Sequence, residues 1–401
     1  MVAPIGGGVS ARASVSRVDV HALRDLVAAR EQEFVSDLAA MVNVDCGSYT
    51  ISGVNTIAER CESRFRAGGW SVERRSPRDD DPSIGDLVIG RRQGAGGPSV
   101  LLIGHMDTVF DDGTAAERPF RVEASKAFGP GVSDMKGGLL AGFVAMEALA
   151  ESRFDAFGTV TYVCNPDEEV GSPFSGPVIR ELAPAHDVAL ILECARANGD
   201  IVSSRKGVTD VDIEITGRAA HAGVEPEKGR SALLEAAHEI VALQGLNGRW
   251  EGVTVNVGVV EGGSRPNVVP ERCRLEVDVR ATTSIAQDEV AGAIENICAN
   301  PTLAGVRSEP TVCATHRPME KTDSSERLVH LAVAISRELG VELRDTQTGG
   351  ASDGNTTSAA GTPTLDGLGP VGGGAHGADE WLDLGSVVPR VTLLAALIAR
   401  L

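Results

Sequence analysis

The chain has 401 residues, enough for roughly two domains, with 42% hydrophobic and 23% charged residues, the balance of an ordinary globular protein. Its formal net charge of −19 speaks against a nucleic-acid partner, which demands a basic footprint, and against an anionic membrane surface. No run nears the ~18 apolar residues of a membrane span.

The N-terminus lacks a charged region followed by a long apolar one, and residues 1–17 read as a flexible leader. The seven cysteines are scattered with no CxxC pair. Cys164, Cys194, Cys273 and Cys298 lie in or beside apolar runs, as buried free thiols do, and a reducing compartment fits. The expected location is cytoplasmic.

From residue 18 a helical pattern runs to Met41. "GVNTIAERCESRFRAGGW" predicts a second helix closed by Gly68 and Gly69. "GDLVIGRRQG" and "PSVLLIGHMD" predict neighbouring strands. The second ends in His105 and Asp107, which share one face of an extended chain and are costly to bury without partners. Residues 111–130 read as a polar loop.

"SDMKGGLLAGFVAMEALAES" predicts a buried helix with Ser133 or Asp134 near its cap. "GTVTYVCNPDEEVGS" predicts a strand running into an acidic turn with Glu168 and Glu169. "DVALILEC" predicts a strand covered on both faces, ending at Glu193. Strands alternating with helices indicate an α/β sheet with layers on both sides.

Near Lys206 the pattern changes. "VTDVDIEITG" alternates strictly, with Val211, Ile213 and Ile215 on one face and Asp210, Asp212 and Glu214 on the other. "CRLEVDVR" repeats this with Leu275, Val277 and Val279. Such strands belong to an antiparallel sheet with one wet face. With helices in "GRSALLEAAHEIVALQGL" and near 283–299, and strands in "VTVNVGVV" and near 311–315, the order is βαββαβ. This is a ferredoxin-like insert of about 110 residues.

After Arg317 the α/β pattern returns. "SSERLVHLAVAISRELG" predicts a helix stopped by Gly340, "TPTLDGLGPVGGGAHGADE" a short strand and a glycine-rich loop holding His376, and "LGSVVPRVTLLAALIARL" a closing helix. The expected architecture is a doubly wound mixed-sheet catalytic domain, 18–205 and 317–401, interrupted by a smaller domain, 206–316.

Carboxyl ends of strands in a doubly wound sheet converge on one crevice. His105, Asp107, Asp134, Glu168, Glu169, Glu193 and His376 stand at strand ends, helix starts or loops, and their carboxylates would repel one another there. A cation resolves the conflict, and imidazole with carboxylate suits zinc, less exclusively manganese or cobalt. The number of carboxylates suggests two metals sharing a bridging carboxylate ~3.5–4 Å apart, with a spare glutamate to take a proton from water.

"GHMDTV", "GPGVSDMKGG", "NPDEEVGS", "ILEC", "AAHAG", "RPNVVP" and "GGGAHGADE", in this order, resemble the dizinc exopeptidases of the glutamate carboxypeptidase, aminoacylase and succinyl-diaminopimelate desuccinylase superfamily. The resemblance runs from about Asp19 to the end of the chain. It implies that His105, Asp134 and Glu193 hold one zinc, and that Asp134, Glu169 and His376 hold the other, with Asp134 bridging. It implies that Asp107 orients His105, that Glu168 is the general base, and that a cis peptide follows Asp134.

His221 of "AAHAG" would reach across a homodimer, joined through residues 206–316, to stabilise the oxyanion, with domain closure during turnover. Asn267, Arg280 and Arg317 would read the product-side carboxylate, since arginine offers bidentate recognition. Lys206 of "SRKG", which follows Arg205, would read a side-chain carboxylate. Backbone amides of "TGGASDGNTT" could accept an anion. "LDGLGPVGGGAH" adds to the likeness to the glutamate carboxypeptidase branch.

Pro130 and Asp111–Asp112 depart from the residues common in that family and bear on acyl-side loop shape, not on ligands. The plain alternatives are a salt bridge across the sheet for Arg280, a hinge contact for Arg317, and a solvated lysine for Lys206. His21, His186, His238, His316 and His330 lack a motif and read as structural.

The expected function is release of a C-terminal amino acid, glutamate first, from an N-acyl amino acid or short peptide. The alternatives are an N-acyl-amino-acid deacylase and a catalytically silent metal-binding relative.

Overall fold

A computed structural model describes residues 18–77 and 83–401; the leader expected over 1–17 lies outside the described residues. The apolar runs of the sequence build a six-stranded mixed sheet. Its order is Ser71–Arg75, Leu87–Gln93, Thr159–Asn165, Val100–His105, Val188–Ile191, Thr364–Leu365. The strands from Thr159–Asn165 onward pair in parallel, and Leu87–Gln93 runs against both its neighbours.

Side chains alternate across this sheet at period two. Val100, Leu102, Val160, Tyr162 and Leu190 join the larger core with helices Val20–Ala28, Glu31–Val42, Ile51–Ala67, Gly137–Glu151, Asp323–Glu338 and Val387–Arg400. Leu101, Ile103, Val163, Ala189 and Ile191 point the other way, onto helix Ser175–Leu182. The sheet is thus covered on both faces, and all of Val100–His105 is buried.

Several expectations change. Leu87–Gln93 and Val100–His105 are not neighbours, because Thr159–Asn165 lies between them. An apolar run specifies burial, not place in the sheet. The first helix is two, broken at Ala29 and Arg30. Its buried positions Val20, Leu23, Val27, Phe34, Leu38 and Met41 keep a helical spacing through the break, so the pattern does not mark it.

The 111–130 loop holds a helical turn, Thr114–Glu117, and a hairpin of Arg121–Glu123 with Lys126–Phe128. That hairpin joins Trp381–Asp383 and Gly372–Gly373 in a second sheet. The helix expected from Ser133 begins at Gly137. Before it, Val132–Lys136 forms a wide turn with non-helical backbone at Asp134 and Met135, and the Asp134–Met135 peptide is cis.

The insert has the order Gly207–Thr216, Ala232–Gln244, Thr254–Gly262, Arg272–Ala281, Ser284–Ala299, Arg307–His316, which is βαββαβ. Its antiparallel sheet runs Thr254–Gly262, Arg272–Ala281, Gly207–Thr216, Arg307–His316. Val211, Ile213, Ile215, Leu275, Val277 and Val279 point into a separate core under the two helices. The chain leaves the main body beside where it returns: Arg205 and Met319 exchange both backbone hydrogen bonds, each 3.0 Å.

Candidate metal centre

His105 closes its strand with 1% exposure. Its Nε2 lies 3.2 Å from Asp134 Oδ1 and 3.6 Å from Glu193 Oε1. On the other side of the ring, Nδ1 is 3.0 Å from the Asp107 carbonyl oxygen and 3.4 Å from Asp107 Oδ1. Asp107, fully buried, accepts from Ser48 Oγ at 2.7 Å and from the amides of Glu168 and Glu169 at 3.2 Å each. One carboxylate therefore backs the imidazole and fixes the acidic turn.

The wide turn after Gly131 brings Asp134 to this strand end. Its other oxygen, Oδ2, lies 3.3 Å from His376 Nε2, which is 3.1 Å from Glu169 Oε2. His376 arrives on the tip between Gly372–Gly373 and Trp381–Asp383, with φ +63°. Two groups result, His105–Asp134–Glu193 and Asp134–Glu169–His376, each with ligand atoms within 4.8 Å of one another. They share Asp134, whose two oxygens face two different imidazoles.

Carboxylates crowd this centre, with His105, His376 and the buried Arg205 as the nearby cationic groups. Burial, reinforced by Asp134, pushes Glu193 up to about 8. Burial likewise raises Glu168 well above the usual carboxylate range, and raises Glu169. Burial also works to raise Asp134, but hydrogen bonds to His105 and His376 outweigh it and hold Asp134 low. Burial would lower His105; its contacts with Asp107 and Asp134 outweigh that and raise it. Asp134 and Glu169 raise His376 to about 10. The raised carboxyls and imidazoles favour protons at the positions a divalent cation would take, so metal binding would compete with them. Imidazole nitrogen with carboxylate oxygen is a fitting donor set for such a metal.

Glu380, 2% exposed, fixes Asp134 from behind. It accepts from the amides of Gly131, Ser133 and Asp134 at 2.8, 2.8 and 2.9 Å, and from Ser133 Oγ at 3.1 Å. Its sequence signal is faint: one of two adjacent acids, with Asp379, just after His376. Arg205 also differs from a solvated cation. It is buried, and its Nε donates to Asp366 Oδ2 at 2.6 Å.

The remaining expected site residues lie apart from the two ligand groups in their contacts. His221 is exposed, bridges to Val268, and its Nδ1 accepts from the Gly223 amide at 3.1 Å. Asn267 is exposed beside it, its carbonyl accepting from the Ala222 amide at 3.0 Å. Arg280 pairs with Asp278 at 2.6 Å along its own strand, not across the sheet. Arg317 pairs with Asp288 at 2.5 Å, which makes it a contact at the hinge. Lys206 is half-buried, its amide donating to the Thr348 carbonyl at 3.1 Å. Of the histidines without a motif, His186 is structural, its ring bonded to the Leu182 carbonyl and Thr161 Oγ1. His316 lies against Gly171 of the acidic turn, a placement no motif announced.

The family model described as Peptidase family M20/M25/M40 matches residues 101–400. Carboxypeptidase G2 of Pseudomonas sp. (strain RS-16) is 31% identical over 370 residues, 91% of this chain and 88% of that protein. Succinyl-diaminopimelate desuccinylase of Beijerinckia indica is 25% identical over 390 residues, 91% of this chain and 98% of that protein. Among solved structures, a tripeptidase of Staphylococcus aureus superposes with a TM-score of 0.77 at 22% identity, covering 92% of this chain and 99% of that one.

Proposed function

As the chain belongs to peptidase family M20/M25/M40 and is a metal-dependent peptidase or amidohydrolase, we propose that it cleaves the amide between an acyl or peptidyl group and a C-terminal amino acid, glutamate being the favoured leaving group. The observation that carries this reading is the Asp134 carboxylate, 3.2 Å from His105 Nε2 through one oxygen and 3.3 Å from His376 Nε2 through the other. Two dications, zinc first, fit that arrangement. His105, Asp134 and Glu193 hold one, and Asp134, Glu169 and His376 the other. Bound there, such ions polarise a carbonyl and acidify water.

The chain's own groups do the rest. Glu168 takes the proton from the attacking water and delivers it to the leaving nitrogen; its burial, which favours the protonated acid, suits the second task. Asp107 keeps the His105 ring in place and, through two amides, keeps Glu168 beside it. His221, exposed on the insert, donates a hydrogen bond to the developing oxyanion of a second copy's site. Lys206, Asn267, Arg280 and Arg317 read the carboxylates of the substrate, the two arginines by exchanging Asp278 and Asp288 for it.

The likeness to carboxypeptidase G2 over most of both chains supports a glutamate-releasing reading. A second reading, N-acyl-amino-acid deacylation, draws support from the desuccinylase relative, whose length the match covers almost fully. A panel of N-acyl glutamates, N-acetyl-ornithine, N-succinyl-diaminopimelate and dipeptides separates the two: the largest kcat/KM on the acyl glutamates is expected. A cytoplasmic enzyme is supported by seven free cysteines; no helix among the described residues is long and apolar enough to cross a membrane.

Replacing the base tests the mechanism. Glu168→Gln should lower kcat about 10²–10⁴-fold with bound metal unchanged. Near-native turnover would remove Glu168 from the role.

A further inference from the structure

The segment Ser352–Asn355 is bonded to both interdomain crossings at one end and to the acidic turn at the other. We propose that Asp353 and Asn355 are positioning residues, a strut through which the setting of the insert fixes the turn that carries Glu168. The inference rests on the role given to Glu168 above.

At the hinge end, the fully buried Asn355 donates from Nδ2 to two carbonyls, Lys206 at 3.1 Å and Arg317 at 2.8 Å. These residues are the outgoing and returning connections of the insert, so one amide holds both. Its Oδ1 accepts from the Ser352 amide at 3.0 Å, which caps helix Asp353–Ala359 and fixes the rotamer. Ser352 Oγ donates to Asp366 at 2.7 Å, and Asp366 pairs with Arg205 beside the same crossing.

At the catalytic end, Asp353 is 3% exposed. A buried carboxylate must find donors, and both of its donors belong to the chain bracketing Glu168. Ser172 Oγ donates at 2.8 Å, and Asn165 Nδ2 donates to the second oxygen. Asn165 Oδ1 in turn accepts from the Asp167 amide at 2.9 Å. The turn is thereby gripped from opposite sides, by Asp107 on the His105 side and by Asp353 on the hinge side. Buried networks of this kind hold discrete arrangements and yield little. A rotation at Lys206 and Arg317 therefore reaches Glu168 through two residues of one helical turn, and a misplacement of about 1 Å at a reacting group can cost on the order of 100-fold in rate.

The test uses the full chain loaded with zinc and three variants: Asp353→Asn, Asn355→Ala and the double. Each single variant should lower kcat on an N-acyl glutamate by about tenfold, with KM within about twofold and metal per chain unchanged. The double should lose no more than the worse single, because both act through one strut. A native kcat in either single variant, or losses that multiply in the double, would overturn the proposal. A second readout needs no turnover. Amide hydrogen exchange over residues 167–173 should quicken in Asn355→Ala, although Asn355 does not touch that turn; unchanged exchange also overturns the strut. A native protein that hydrolyses no acyl amino acid would sink the proposed function instead, and exchange would still decide the strut.

Discussion

Glu239 shows how much a single buried carboxyl can matter. It lies on the inward face of helix Ala232–Gln244 with 2% exposure. One oxygen accepts from Ser308 Oγ at 3.1 Å, and Oε1 has no partner among the described residues. Burial, with Glu235 one turn away, pushes its pKa up to about 7. The folded state then binds a proton more tightly than the unfolded chain between about pH 4.5 and 7. Its contribution is present below pH 4.5 and lost as pH rises through 7. Glu239→Gln should therefore stabilise the protein at pH 8 by on the order of 1–2 kcal/mol and leave it little changed at pH 4.5. A thermal melt at the two pH values checks this, and an equal effect at both would refute it. Nothing in "LLEAAHEIVALQ" marks Glu239 as different from a solvated helix glutamate. The proposed ligands were easier to read, because His105, Glu169 and Glu193 stand at or just past the ends of apolar runs and Asp134 and His376 lie in recognisable short motifs. Glu380, Asp353 and Asn355 act through backbone groups of distant segments, a partnership that a sequence does not print.

Among secondary-structure elements, the insert was the most legible and the main sheet the least. Strict alternation in Gly207–Thr216 and Arg272–Ala281 carries both strand identity and facing, since one face is wet. Fully apolar strands carry neither order nor direction. The three-residue strands at 121–123 and 126–128 are shorter than any pattern can reveal. Among the described residues, the insert also presents an unpaired edge, Thr254–Gly262, with Val259 and Val260 exposed, beside a helix whose Leu234 and Val241 are 50% and 74% exposed. Leu234 and Val241 are two turns apart and share a face. The opposite edge, Arg307–His316, carries Pro310 and a register shift, both of which blunt pairing. These features support a dimer joined edge to edge through Thr254–Gly262. Leu234→Glu with Val241→Glu should halve the mass seen by light scattering and, under the role proposed for His221, cut activity. A monomeric native protein, or an unaltered mass in the variant, would refute that assembly.

For the molecule as a whole, the centre is where distant parts of the chain meet. Asp107, Asp134, Glu168, Glu169 and Glu193 bring five carboxylates around two imidazoles, a concentration of negative charge that opposes folding until it is neutralised. Metal binding should therefore stabilise the whole fold, by about 4 kcal/mol at a free metal concentration 1,000 times Kd. Exhaustive chelation should lower Tm by several degrees, and zinc should restore it. A melting curve indifferent to chelator would count against the assignment of these residues as ligands. That they meet was legible from seven short motifs taken together. How rigidly they are held was not, because that depends on Glu380 and on the Ser352–Asn355 segment, whose contacts are long-range.

The paired segments at Arg205 and Met319 also bear on how such a molecule can change over time. Since the backbone departs and returns at neighbouring points, a tight reverse turn there would close the larger body without re-routing one of its strands. By the same token, any compact unit whose own ends meet could be spliced in at that seam. A scaffold cut in this way can exchange one inserted unit for another, provided the newcomer returns the two carbonyls, at positions 206 and 317, that Asn355 holds.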